Sequence, residues 1–114
     1  MQLSEALMLA GIHEVESRGW ARCTLETFDG AVCAAGGLNA AAYGKPLPGP
    51  SARRYGLADT IRDTYQVSLP GVNDTHSTPE PVFRAMRALA ARLSPYGKQA
   101  DTTEDTATLN EWAA

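Results

Sequence analysis

Three residues have side chains that could do covalent chemistry together. Cys33 supplies a thiol nucleophile, His76 a base, and Asp74 or its neighbour Asn73 a group to orient that base. Cys33 falls at the expected start of a helix, where aligned peptide dipoles lower a thiol's pKa. Such a set would serve a small cysteine-dependent hydrolase or transferase. No cysteine-hydrolase signature surrounds Cys33, however, and no strand before it is long enough to carry a nucleophile on a strained turn. Free cysteine is among the most buried residue types. The sequence therefore favours a small thiol packed between helices, and the catalytic set stands as the alternative.

Asn73 and Asp74 also read as a polar pair on a loop, able to bind a small polar ligand. The same residue types satisfy turn amides locally, and the segment runs straight into a helix start, which is the simpler account. His13, Cys23, Cys33 and His76 lack the paired spacing of a structural zinc site, so no metal is expected. Gly36-Gly37 has no phosphate-loop spacing around it and reads as a packing feature. No cofactor is implied. Among the aromatic residues, Tyr96 and Trp112 lie beyond the last expected helix, where contact with a partner or a second copy is the natural use.

The elements that must position these residues follow from pattern and punctuation. Ser4 caps a first helix over residues 4–18, with Leu7, Met8, Ile12 and Val15 on one face. Gly19 fits a Schellman stop, with Trp20 folded back towards Val15. Residues 22–32 alternate around Asp29-Gly30, a strong turn signal, and predict a short β-hairpin-like excursion. With Phe28 facing Ala31 across a two-residue turn, Cys23 faces Gly36 and Cys33 faces Glu26, so the cysteines are not direct partners. A small-residue helix over 32–43 is expected to be central, its glycines permitting close approach. The proline-rich loop 45–50 cannot be helix or central strand. Ser51 then opens a third helix to Gln66, residues 67–77 read as irregular, and Thr78-Pro79 opens a fourth helix to Leu93. The expectation is a mainly α, four-helix domain over 1–97. Residues 98–114 form an acidic tail, partly disordered or carrying a short docking helix through Leu109 and Trp112.

Composition sets the outer bounds. At 114 residues with 44% hydrophobic and 20% charged residues, the chain suits one modest core and no second domain. Residues 1–50 carry three Lys/Arg against five Asp/Glu, 51–97 six against four, and 98–114 one against four. No strong basic patch of the kind phosphate contacts require stands out, so nucleic acid is not an expected partner. No apolar run is long enough to span a membrane, and MQLSEALML lacks the basic start of a secretory signal, so cytoplasmic residence is the default.

The order SRGW, a turn with DGAVCAAGG, a VND loop and TPEPV resembles a family of small actinobacterial and actinophage proteins, a domain of unknown function. That family reads as a helix ending in RGW, a segment with spaced Asp, Gly and Cys, and a Trp-Asn-Asp loop before a T-x-x-x-V helix. Gly19, Trp20, Asp29 or Gly30, Cys33, Gly36, Asn73, Asp74 and Val82 carry the likeness, which spans residues 7–93. Val72 departs from it where the family has Trp. The resemblance implies a source and a fold class but no catalytic residue. The leading expectation is a non-enzymatic binding or accessory protein, acting on a protein partner, as a homo-oligomer or on a small polar ligand. A virion structural component is a further alternative.

Overall fold

The computed structural model describes residues 3–46 and 56–93. Ser51, Tyr96, Trp112, most of the proline-rich loop and the acidic tail lie outside those residues. Five helices are present among them: α1 (Glu5–Arg18), α2 (Ala34–Tyr43), α3 (Leu57–Tyr65), α4 (Leu69–Asp74) and α5 (Glu80–Leu93).

The Ser4 hydroxyl accepts from the Leu7 amide at 3.1 Å and Glu5 lies in the first turn of α1, so both charge and cap favour a start there. Gly19 ends the helix differently from a Schellman stop. Its φ of 99° and ψ of 150° lie outside the left-handed helical well, and they send Trp20 away along an extended path that a side chain at position 19 would resist. Helix α2 packs on α1 through two glycines. A Cβ at Gly37 would lie 2.5 Å from Val15 Cγ2 and 2.9 Å from the Gly11 carbonyl, and one at Gly11 would lie 3.2 Å from Leu38 Cα. The two backbones therefore approach more closely than side chains would allow, and Ala34 to Ala40 are all buried.

The four-helix count is corrected by α4. Pro70 and Gly71 read as breakers in the sequence, yet proline within the first turn removes only an amide that has no helical partner, and Ser68 Oγ accepts from Gly71 N at 3.2 Å. Helix α3 begins at Leu57, because Gly56 holds a non-helical φ of 62° and ψ of −127°. In α5 the first carbonyl to accept is that of Pro79, which bonds Phe83 N at 2.9 Å, so the helix starts two residues after Thr78.

The β-hairpin is corrected as well. Among the described residues there is no strand, only isolated bridges from Val32 to Trp20, parallel, and to Glu26, antiparallel. The Asp29-Gly30 turn exists, but it is one residue longer than a tight hairpin needs. Thr27 N bonds Ala31 O at 2.8 Å and Gly30 N bonds Thr27 O at 3.0 Å, with Gly30 at φ 91°. This leaves Phe28, Asp29 and Gly30 in the loop, shifts the register by one, and places Val32 rather than Cys33 opposite Glu26. The chain between the two bridges then turns over the start of α2, so neither pairing extends into a ladder.

Met8, Val15, Leu38, Ile61, Leu69, Met86 and Leu89 are fully buried and unite α1 with the other four helices in one core.

Candidate functional site

Asn73 and Asp74 end α4, and their side chains reach back to the segment between α1 and α2. Asn73 has no exposed surface. Its Oδ1 accepts from the Trp20 indole Nε1 at 2.7 Å and from Ala34 N at 2.9 Å. Its Nδ2 donates to Ala21 O at 2.9 Å and to Asp74 Oδ1 at 3.1 Å. All four hydrogen bonds an amide side chain can make are thus made inside the protein. Asp74 Oδ1 also accepts from Cys23 N at 2.8 Å, and Arg22 donates to the Asp74 carbonyl at 3.0 Å. The pair is a clasp: it fixes residues 20–23 and caps α2 from a different element.

Cys33 occupies the N-cap of α2. Its Sγ accepts from Gly36 N at 3.4 Å and the residue is buried. Burial pushes its thiol pKa up, the Gly36 and Ala35 amides pull it down, and the nearby Asp74 charge pushes it up again. The balance lies above the ordinary value of 9.0, so burial outweighs the helix start. Such a thiol is a poor nucleophile at neutral pH.

His76 stands just after α4, partly buried, with Nδ1 2.7 Å from the Val72 carbonyl. A carbonyl only accepts, so Nδ1 carries the proton. No hydrogen bond joins Cys33 to His76 among the described residues, and Asp74 binds Cys23 and Asn73 rather than the imidazole. The structure therefore brings Cys33, Asn73 and Asp74 together and turns the Nδ1 of His76 elsewhere. His13 contacts Ser17 Oγ through Nε2 at 3.4 Å. No group of three His, Cys, Asp or Glu side chains converges as a metal site among the described residues.

Two features escaped the sequence reading. Asn39 is fully buried inside α2, donating to Pro46 O at 3.1 Å and accepting from Leu57 N at 3.3 Å, so it ties both flanks of the 47–55 segment to one helix. An asparagine in the middle of an alanine-glycine helix was the available signal. The second feature is Phe28, fully exposed at the tip of the 27–31 turn. Its place directly before Asp29-Gly30 was the clue, since the central positions of a turn point outwards. A cleft of about 120 Å³ between α3 and α4 is lined by Ala58, Asp59, Arg62, Ser68 and Pro70. Its buried Asp59 carboxylate is paired with Arg62 at 3.4 Å.

Among the described residues the fold and clasp define a small, mainly helical unit with an internally capped central helix. No known family model, curated protein or solved structure matches this chain. No described helix is long and apolar enough to cross a membrane.

Proposed function

We propose that this chain is a small non-enzymatic binding module, an accessory protein of the actinobacterial or actinophage kind its motifs resemble, which acts by contact with a protein partner. The observation that carries the reading is Phe28: a fully exposed aromatic ring on a turn that is nevertheless held in shape. Thr27 closes that turn with three hydrogen bonds, two through its backbone and one from Ala31 N to its hydroxyl at 3.0 Å. The Asn73-Asp74 clasp then fixes the chain leading into it. Aromatic side chains dominate interface energetics, and a preformed presentation lowers the ordering cost of binding. Asp29 beside it is exposed and makes no side-chain bond or ion pair among the described residues, so the matching pocket is apolar with a Lys or Arg at its rim.

Support also comes from what the other candidates do. A cysteine enzyme needs an accessible thiol with a base in reach, whereas Cys33 is buried against Gly36 N and the His76 Nδ1 proton is given to Val72. Asn73 has no amide capacity left for a ligand.

The test replaces Phe28 with a photo-crosslinking phenylalanine analogue in the organism that carries the sequence, with the same analogue at exposed Tyr43 as control. One discrete adduct at position 28, lost when Asp29→Lys reverses the neighbouring charge, is expected. Equal labelling from positions 28 and 43, or an adduct indifferent to Asp29→Lys, refutes the reading.

A further inference from the structure

Val32 is bridged on both flanks, by Trp20 on one side and Glu26 on the other. Ala21 N bonds Val32 O at 2.9 Å, so the chain leaves the first bridge in the direction of Cys33. It returns antiparallel at Glu26, and residues 21–25 therefore cross over the start of α2. Gly36 marks the crossing, since a Cβ there would run into the Leu25 carbonyl. Cys23 is the middle residue of this crossing and Cys33 is the N-cap beneath it. Both adjoin Asp74, whose Oδ1 holds the Cys23 amide at 2.8 Å and whose charge acts on the Cys33 thiol. Ala21, two residues before Cys23, bonds the carbonyl of Val32, the residue before Cys33, and the adjacent Asn73 and Asp74 hold the Ala34 and Cys23 amides, so both cysteines sit at one junction, and a disulfide between them needs a Cα separation of up to about 7 Å.

We propose that Cys23 and Cys33 are a redox pair that closes reversibly into an intramolecular disulfide. Both thiols are free in this structure, Cys23 exposed and Cys33 buried. The division of labour follows from that: Cys23 meets the oxidant and Cys33 resolves. The oxidant is a low-molecular-weight disulfide. Cys23 loses its proton to solvent and its thiolate attacks one sulfur, forming a mixed disulfide and expelling one thiolate. Cys33, likewise deprotonated, attacks the Cys23 sulfur and expels the second. Two electrons and two protons leave the protein, and the oxidant becomes two thiols.

Closure requires Cys23 to leave its bond to Asp74 at the middle of the crossing, while Ala21 and Leu25 at its ends stay packed on the core. Arg22, Cys23 and Thr24 are exposed and held by the hydrogen bonds of Arg22 and Cys23 to Asp74 and of Thr24 to the Glu26 carbonyl. Cys23 also sits at a φ of 63°, an uncommon conformation for a residue with a side chain, which leaving the clasp would relieve. In the oxidised form Cys33 Sγ leaves Gly36 N, and α2 retains the Asn73 cap alone. This inference is independent of the docking role of Phe28.

The test incubates the reduced full-length protein with glutathione disulfide at mildly alkaline pH, followed by acid quench, alkylation, intact mass and peptide mapping. The expected product has lost two hydrogens, carries no alkyl group and yields a linked Cys23–Cys33 peptide that dithiothreitol separates. Cys33→Ser, which keeps a capping oxygen, stops at one glutathione adduct on Cys23, and Cys23→Ser stays reduced. Wild type that stops at the same Cys23 adduct, links two chains instead, or does not react overturns the proposal. The wild-type product decides even where a serine variant folds poorly.

Discussion

Asn73→Ala is the sharpest test of the clasp. The substitution leaves the Trp20 indole N–H, the Ala34 amide and the Ala21 carbonyl without the partner each has now. A buried polar group left unmatched costs about 1–3 kcal/mol. Trp20 is only partly buried, so water recovers some of that, whereas Ala34 is fully buried. The expected loss is about 3–5 kcal/mol, against a total stability of about 5–15 kcal/mol for a domain of this kind. Urea unfolding followed by tryptophan fluorescence and by far-ultraviolet circular dichroism measures it, and a fall in the melting temperature of more than about 10 °C should accompany it. Asn73→Asp separates the hydrogen-bonding account from simple loss of volume. It keeps an acceptor for Trp20 and Ala34 but loses the donor to Ala21 O, and it sets a second carboxylate where Nδ2 now lies 3.1 Å from Asp74 Oδ1. Like charges hold the new carboxyl's pKa above its unfolded value, so the folded state keeps its proton longer. Stability then falls as pH rises through that raised value and recovers as pH drops below it. A loss under about 1 kcal/mol for Asn73→Ala, or an Asn73→Asp penalty that does not change between pH 4 and pH 7, refutes the reasoning.

Other perturbations test the remaining parts. Gly37→Ala forces a methyl to within 2.5 Å of Val15 Cγ2 and 2.9 Å of the Gly11 carbonyl; overpacking of about 2–3 kcal/mol should outweigh its gain in helix propensity, read as a lower urea midpoint. Cys33 has its pKa raised by burial, so its contribution to stability is complete below the ordinary value of 9.0 and is lost as pH rises from there through the folded value. Wild type should therefore lose stability more steeply above pH 9 than Cys33→Ser, by denaturant titration across alkaline pH. Phe28→Ala, at a fully exposed position, should change stability by no more than about 0.5 kcal/mol, by thermal melting, which reserves its effect for binding.

Much of the helical scaffold is written in local pattern. Ser4, the apolar stripe of α1 and the alternation of Val82, Phe83, Met86 and Leu89 in α5 each lie within one turn or two of their neighbours, so periodicity finds them. Helix α4 was hidden because Pro70 and Gly71 carry opposite meanings in a helix start and in a loop, and six residues are too few for a period to decide. Asn73 and Asp74 were visible as candidates by residue type, but their partners are 39 to 53 positions away and no local rule reaches them. The hairpin register failed on one residue of turn length, which is enough to change every facing pair. Asn39 was passed over because its neighbours are alanines and glycines, whose signal is packing rather than polarity.

The clasp also fixes an order of assembly. Residues up to Tyr43 contain α1, α2 and the glycine contact between them, so this half can begin to associate as soon as it has been synthesised. The amide of Ala34 and the indole of Trp20 wait for Asn73, which emerges from the ribosome only after α3. Until then the N-terminus of α2 has Cys33 as its cap, and the 20–31 segment has nothing from α4 to hold it. The late arrival of one asparagine thus converts a loosely tethered half into a finished one, making the ordering of residues 20–23 a readout of whether α4 has docked.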